Sequence, residues 1–208
     1  MSFAHWLPFA IASAIVIVIP GPTVLLVVSY ALGHGRRYAL ATTAGVALGD
    51  LTSMTASMVG LGAVLAASAT LFTAIKWVGA AYLVYLGVKL WRAPVVERDA
   101  PDVSETRTAR VFAHAYAVTT LNPKSIVFFV AFVPQFMDLH APMWPQAVVL
   151  EATFVVLASL NALGYALLAS SARRAIRSRK VQRAVNRTGG TMLVGAGLLA
   201  ASWKSASA

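Results

Sequence analysis

Long apolar stretches separated by short polar connections dominate this chain. Six of them, residues 6–30, 39–67, 71–91, 112–137, 148–172 and 188–203, approach or exceed the roughly 20 residues that a helix needs to cross a ~30 Å hydrocarbon core. The sixth has 16 residues, a rise of about 24 Å, so it must thin the bilayer, lean on snorkelling flanks or begin before its apolar run does. Membrane strands would alternate polar and apolar positions over about 10 residues; these segments are longer and uniformly apolar, and they predict helices. Residues 9–19 could pass for the core of a signal peptide. Residues 1–5 carry no Lys or Arg, however, and the apolar run continues past Pro20-Gly21-Pro22, so 6–30 is expected to be a retained span.

Composition agrees with this pattern. The 208 residues are 59% hydrophobic and 12% charged, against about half and about a quarter in soluble domains, which excludes a water-soluble fold. The net charge of +10 would suggest nucleic acid in a soluble protein, but its location gives it another meaning. Fourteen Lys and Arg fall in the first, third and fifth connections, and only Lys76 and Lys204 lie on the other side. That asymmetry places the odd connections in the cytoplasm and both termini in the periplasm. Trp6, Trp77, Trp144 and Trp203 then fall at the outer boundary and Trp91 at the inner one, where indoles prefer to sit. Glu97, Asp99, Asp102 and Glu105 lie among the basic residues of segment 93–110, which reads as a cytoplasmic linker within a single membrane domain, 1–208. No nucleic-acid partner is expected.

The linker separates two halves, 1–92 and 111–208, that share features. Pro22 and Pro123 each interrupt the middle of a span, the first and the fourth, and Gly79, Leu83, Val84 and Gly87 recur as Gly189, Leu193, Val194 and Gly197 at an offset of 110. Three spans per half invert the second copy relative to the first. The expected architecture is therefore an all-α integral membrane protein of six helices in two inverted three-helix repeats, a plan used by secondary transporters.

The same interruptions carry the candidate chemistry. Pro20-Gly21-Pro22, followed by Thr23, and Asn122-Pro123-Lys124 remove backbone donors near the bilayer centre, leaving carbonyls before each break and N–H groups after it. Such groups are tolerated only against protein or a water-filled cavity. Lys124 lies about 12 residues from either end of its span, where a fixed charge costs about 2.5–3.5 kcal/mol; it requires a partner, and Asp50 is the candidate by depth and sign. Asp50 has two candidate duties, holding a substrate ammonium or carrying a coupling proton; a structural ion pair with Lys124 is the plainer alternative. Gly45 and Gly49 read as a close helix contact, Glu151 as an interfacial carboxylate, and Tyr82, Tyr85, Asn161 and Tyr165 as hydrogen-bonding partners of neighbouring helices. The chain has no cysteine, and His5, His34, His114 and His140 show no ligand spacing, so neither a metal nor a cofactor is expected.

Pro20-Gly21-Pro22 with Thr23-Val24-Leu25, the run from Gly45 to Asp50, the run from Lys76 to Gly87 and Leu121-Asn122-Pro123-Lys124 together resemble the LysE-type amino-acid exporters, most of all their homoserine/threonine and leucine exporter branch. The resemblance implies proton-driven export of an amino acid or derivative across a bacterial inner membrane. Substrate would be bound by Pro20, Gly21, Pro22, Thr23, Asn122, Pro123 and Lys124, and protons by Asp50. Self-association is left open. A passive channel or cation exporter is the alternative reading, although such a pore needs more intramembrane acids. A membrane-embedded enzyme lacks any nucleophile or metal motif here.

Overall fold

A proline inside an apolar stretch withholds the amide hydrogen that would continue the helix, and the chain breaks where such prolines sit. The computed structural model describes residues 1–93, 107–138, 141–169 and 179–202. In it the first span is two helices, α1 (Phe3–Val18) and α2 (Pro22–His34), and the fourth is α5 (Thr108–Thr120) and α6 (Pro123–Ala131). A 3-10 turn, Gly35–Tyr38, leads from α2 into α3 (Ala39–Ala67); Ser68 caps α4 (Ala69–Trp91), its hydroxyl accepting from the Leu71 amide at 3.2 Å. A second 3-10 turn, Val133–Phe136, follows α6 and precedes α7 (Met143–Ala169), and the last helix is α8 (Arg179–Ser202). The breaks bend the path by 52° between Phe3–Val18 and the helical run Pro22–Val64, and by 44° between Thr108–Thr120 and Pro123–Phe136. Both expected interruptions are therefore present.

Among the described residues, α7 alone is long and apolar enough to cross a bilayer as one unbroken helix, and the two bent pairs qualify when each is taken together. Two helices extend ahead of their apolar runs for a physical reason. The last helix already includes Arg179–Arg187, nine residues ahead of the apolar run, because Lys and Arg are good helix formers whose stems lie along apolar surface while their heads reach water. α7 begins at Met143, since Pro145 is tolerated in a first turn. Most of the expected linker, together with Trp203 and Lys204, lies outside the described residues.

Packing is set by glycines. α3 lies against α5 where a Cβ on Gly45 would stand 2.6 Å from the Phe112 carbonyl oxygen, and one on Gly49 2.7 Å from Thr119 Cβ, so this pair is the close contact that their spacing predicts. α4 packs against α8 in a reciprocal way. A Cβ on Gly87 would meet Val194, and one on Gly197 would meet Val84, at 2.8 and 2.7 Å. Each contact maps onto the other under the offset of 110, which is the relation a two-fold axis produces. Gly79 and Gly189 depart from it, the first facing Ala131 and the second Leu90 and Ile19. A phenylalanine cluster fills the space between α1, α6 and α7, with Phe128, Phe129 and Phe154 at centroid distances of 4.8–6.1 Å.

These contacts predict opposite outcomes for two glycines of α3. Gly49→Val should destabilise the detergent-solubilised protein by about 1–3 kcal/mol through overpacking. Gly62→Ala, which meets nothing within 4 Å, should leave the thermal midpoint unchanged or raised, as measured by the temperature at which the monodisperse peak is lost.

Candidate functional site

Two of the last four carbonyls of the first helical run lose their donors for a reason written in the sequence, and the break that results removes the other two. Val16 and Val18 carbonyls would be served by the amides of residues 20 and 22, and both positions are proline. Side chains from two other helices replace the missing donors. Lys124 Nζ donates to Val16 O at 2.9 Å and to Ile19 O at 2.8 Å, Asn161 Nδ2 to Ile17 O at 3.3 Å, and Tyr165 OH to Val18 O at 3.2 Å. The carbonyl end of α1 is thus capped by α6 and α7. Asn161 and Tyr165 make the interhelical bonds expected of them.

The start of each following helix is treated differently. Asn122 caps α6, its Oδ1 accepting from the Lys124 amide at 3.1 Å, while its Nδ2 donates to Thr23 Oγ1 at 3.2 Å. Thr119 also donates to Thr23 Oγ1, at 3.3 Å, so the two breaks are tied together. α2 begins at Pro22 after Gly21, and no side chain caps it. The positive dipole end left without a side-chain partner is therefore that of α2.

These elements enclose a cavity of about 30 Å³ lined by Gly21, Thr23, Asp50, Asn122, Lys124 and Ser125, with Phe154 and Asn161 of α7 on its far wall. That volume holds about one water molecule and is far too small for an amino acid. Asp50 is 4% exposed, and among the described residues no donor hydrogen-bonds its carboxylate. The expected ion pair with Lys124 is absent: the lysine is occupied by the carbonyls of Val16 and Ile19, which the break at Pro20 and Pro22 leaves in need of a donor. Both side chains nonetheless line the same cavity.

Five of the expected site residues, Gly21, Thr23, Asn122, Lys124 and Asp50, thus share one cavity. Pro20, Pro22 and Pro123 do not line it; they shape it by breaking the helices. Ser125 and Phe154 were not foreseen. Ser125 is signalled only by its place after Lys124, and Phe154 by nothing in its own helix. Glu151 stands apart and accepts from Thr55 Oγ1 at 2.6 Å, joining α7 to α3. Among the described residues no cluster of metal-ligating side chains occurs.

Comparison with known proteins extends the picture. Residues 14–203 match the family model described as LysE type translocator. An uncharacterized membrane protein of Vibrio cholerae is 36% identical over 99% of this chain and 100% of its own length. The homoserine/homoserine lactone efflux protein of Salmonella typhimurium is 33% identical over 99% and 100%. The leucine efflux protein of Klebsiella pneumoniae is 27% identical over 85% and 84%. No solved structure matches the chain.

The capping pattern orders the cost of three substitutions. Lys124→Met removes both hydrogen bonds made by a charged donor, worth about 1.5–3 kcal/mol each, and should lower the thermal midpoint most. Tyr165→Phe and Asn161→Ala each remove one neutral bond, worth about 0.6 kcal/mol within a membrane, and should lower it measurably less.

Proposed function

The chain belongs to the LysE type translocator family, and on that premise we propose that it exports an amino acid or amino-acid derivative by proton antiport with alternating access. It is a multi-pass protein of the bacterial inner membrane and a transporter, not an enzyme. The names of its relatives put homoserine, homoserine lactone and leucine in the candidate substrate class. The observation that carries the mechanism is the pairing of two unpartnered opposites in one cavity, the start of α2 and the carboxylate of Asp50.

A zwitterion fits this pairing. Its carboxylate would lie against the amides at the start of α2, and its ammonium against Asp50. One carboxylate cannot hold a proton and attract an ammonium at once, and that exclusion is the coupling. Facing outward, Asp50 takes a proton and releases the ammonium; facing inward, it gives the proton to the cytoplasm and can bind the next substrate. Lys124 keeps the capped end of α1 in place and sets the potential around Asp50. The small cavity supports alternating access, because the helices must part to admit a substrate. The reading includes six crossings in two inverted halves with both termini periplasmic, which the reciprocal α4–α8 contact and the charge asymmetry support.

Proteoliposomes loaded with a panel of amino acids test the reading. Release of the true substrate should accelerate when the side receiving it is made acidic, since protons then flow against the solute. Asp50→Asn, inserted at normal levels, should lose at least tenfold in gradient-driven release and show no dependence on the gradient. Undiminished, gradient-sensitive release from Asp50→Asn would overturn the assigned role.

A further inference from the structure

A second and larger space lies along the C-terminal half of α3. It is a groove of about 480 Å³ between α3 and α6, within the range of small-molecule sites. On α3 it is lined by residues 52, 53, 56, 57, 60, 61 and 64, a single stripe at helical spacing. That stripe rises about 18 Å from just beyond Asp50, and half of a ~30 Å hydrocarbon core is about 15 Å. The groove therefore reaches from the level of the midplane cavity to the membrane surface.

Its chemistry changes along its length. At the deep end stand Thr52, Ser53, Ser57 and Thr120; at the far end the wall is Leu61, Val64 and Val130. Ser53, one helical turn beyond Asp50 on the same side of α3, is 4% exposed, and its hydroxyl has no hydrogen-bond partner. A buried hydroxyl left unpartnered costs about 1–3 kcal/mol. An acyl chain cannot relieve that cost, whereas a polar solute or water in the groove can.

Two other directions away from the cavity are filled. Towards the end of α2, Tyr30 and Tyr38 are each 1% exposed and stack edge-on at 6.2 Å, and Tyr30 bonds His114 at 3.1 Å. Between α1, α6 and α7 lies the phenylalanine cluster. The groove lies on a third side, separated from the cavity by the single turn of α3 between Asp50 and Ser53.

We propose that the α3–α6 groove is the outward vestibule through which the exported amino acid leaves the midplane cavity, with Ser53 as its first polar contact. The proposal rests on the export reading above, and the two are tested separately. The natural chain has no cysteine, so single cysteines can be introduced without background. Ser57→Cys and Gly60→Cys place thiols in the groove, where a Cβ at position 60 meets nothing within 4 Å. Val156→Cys, on the 56% exposed position of α7, places one against lipid. A water-soluble, membrane-impermeant thiol reagent added from the periplasmic side should label the two groove cysteines at least tenfold faster than Val156→Cys. Labelling should also cut amino-acid release from each groove variant at least tenfold relative to the same variant unlabelled. Labelling no faster than at Val156→Cys, labelling only from the cytoplasmic side, or undiminished release after labelling would each overturn the vestibule. Failure of the parent protein to release any amino acid of the panel would instead overturn the export reading, while the labelling pattern would still report on the groove.

Discussion

Carbonyl groups in hydrocarbon must have donors, and in this molecule that requirement organises the centre. Pro20 and Pro22 strip the end of α1 of its own amides, at a cost of several kcal/mol for each group left bare in lipid. Lys124, Asn161 and Tyr165 supply the replacement. Because they come from α6 and α7, satisfying α1 also fixes where those helices stand. Asn122 and Thr23 complete the arrangement by joining the two breaks. The cavity, its uncapped helix start and its lone carboxylate follow from this one debt of hydrogen bonds.

Much of this was legible in the sequence, and the reasons are specific. Proline chemistry is local, so both breaks could be placed from Pro20-Gly21-Pro22 and Asn122-Pro123. The four-residue spacing of Gly45 and Gly49 is likewise a local signal, and it marks the α3–α5 contact correctly. Asp50 and Lys124 stand out because charge is rare in a span. Partner choice is a different matter. Depth and sign pointed Lys124 towards Asp50, yet an ammonium also serves backbone carbonyls, and two prolines nearby had created a demand for it. Phe154 reaches the cavity wall through the way α7 crosses α1, which no pattern within its own helix records. Of the three ways the short sixth run could be accommodated, an earlier helical start is the one present; hydropathy could not place it, because hydropathy detects lipid, not helix, and the residues from Arg179 to Arg187 are largely polar and basic.

The two helix starts illustrate how similar motifs diverge in use. Both carry proline at the first helical position. Asn122 answers its own helix with a side-chain oxygen, while Gly21 has none to offer and lets Lys124 approach closely, with a Cβ there falling 3.3 Å from Nζ. The chain thus contains two broken helices, one whose start is closed by its own side-chain cap and one whose start is left without a side-chain partner.

The reciprocal contact between α4 and α8 bears on direction. Val84 against Gly197 and Val194 against Gly87 make a seam whose two contacts match under the offset of 110. In the alternating-access reading proposed above, a seam of that kind would resist tilting one way no more than the other, and the scaffold would favour neither face. On that reading the direction of solute movement would be set by the concentrations and charges outside the protein, and reversed gradients would run the same machine as an importer.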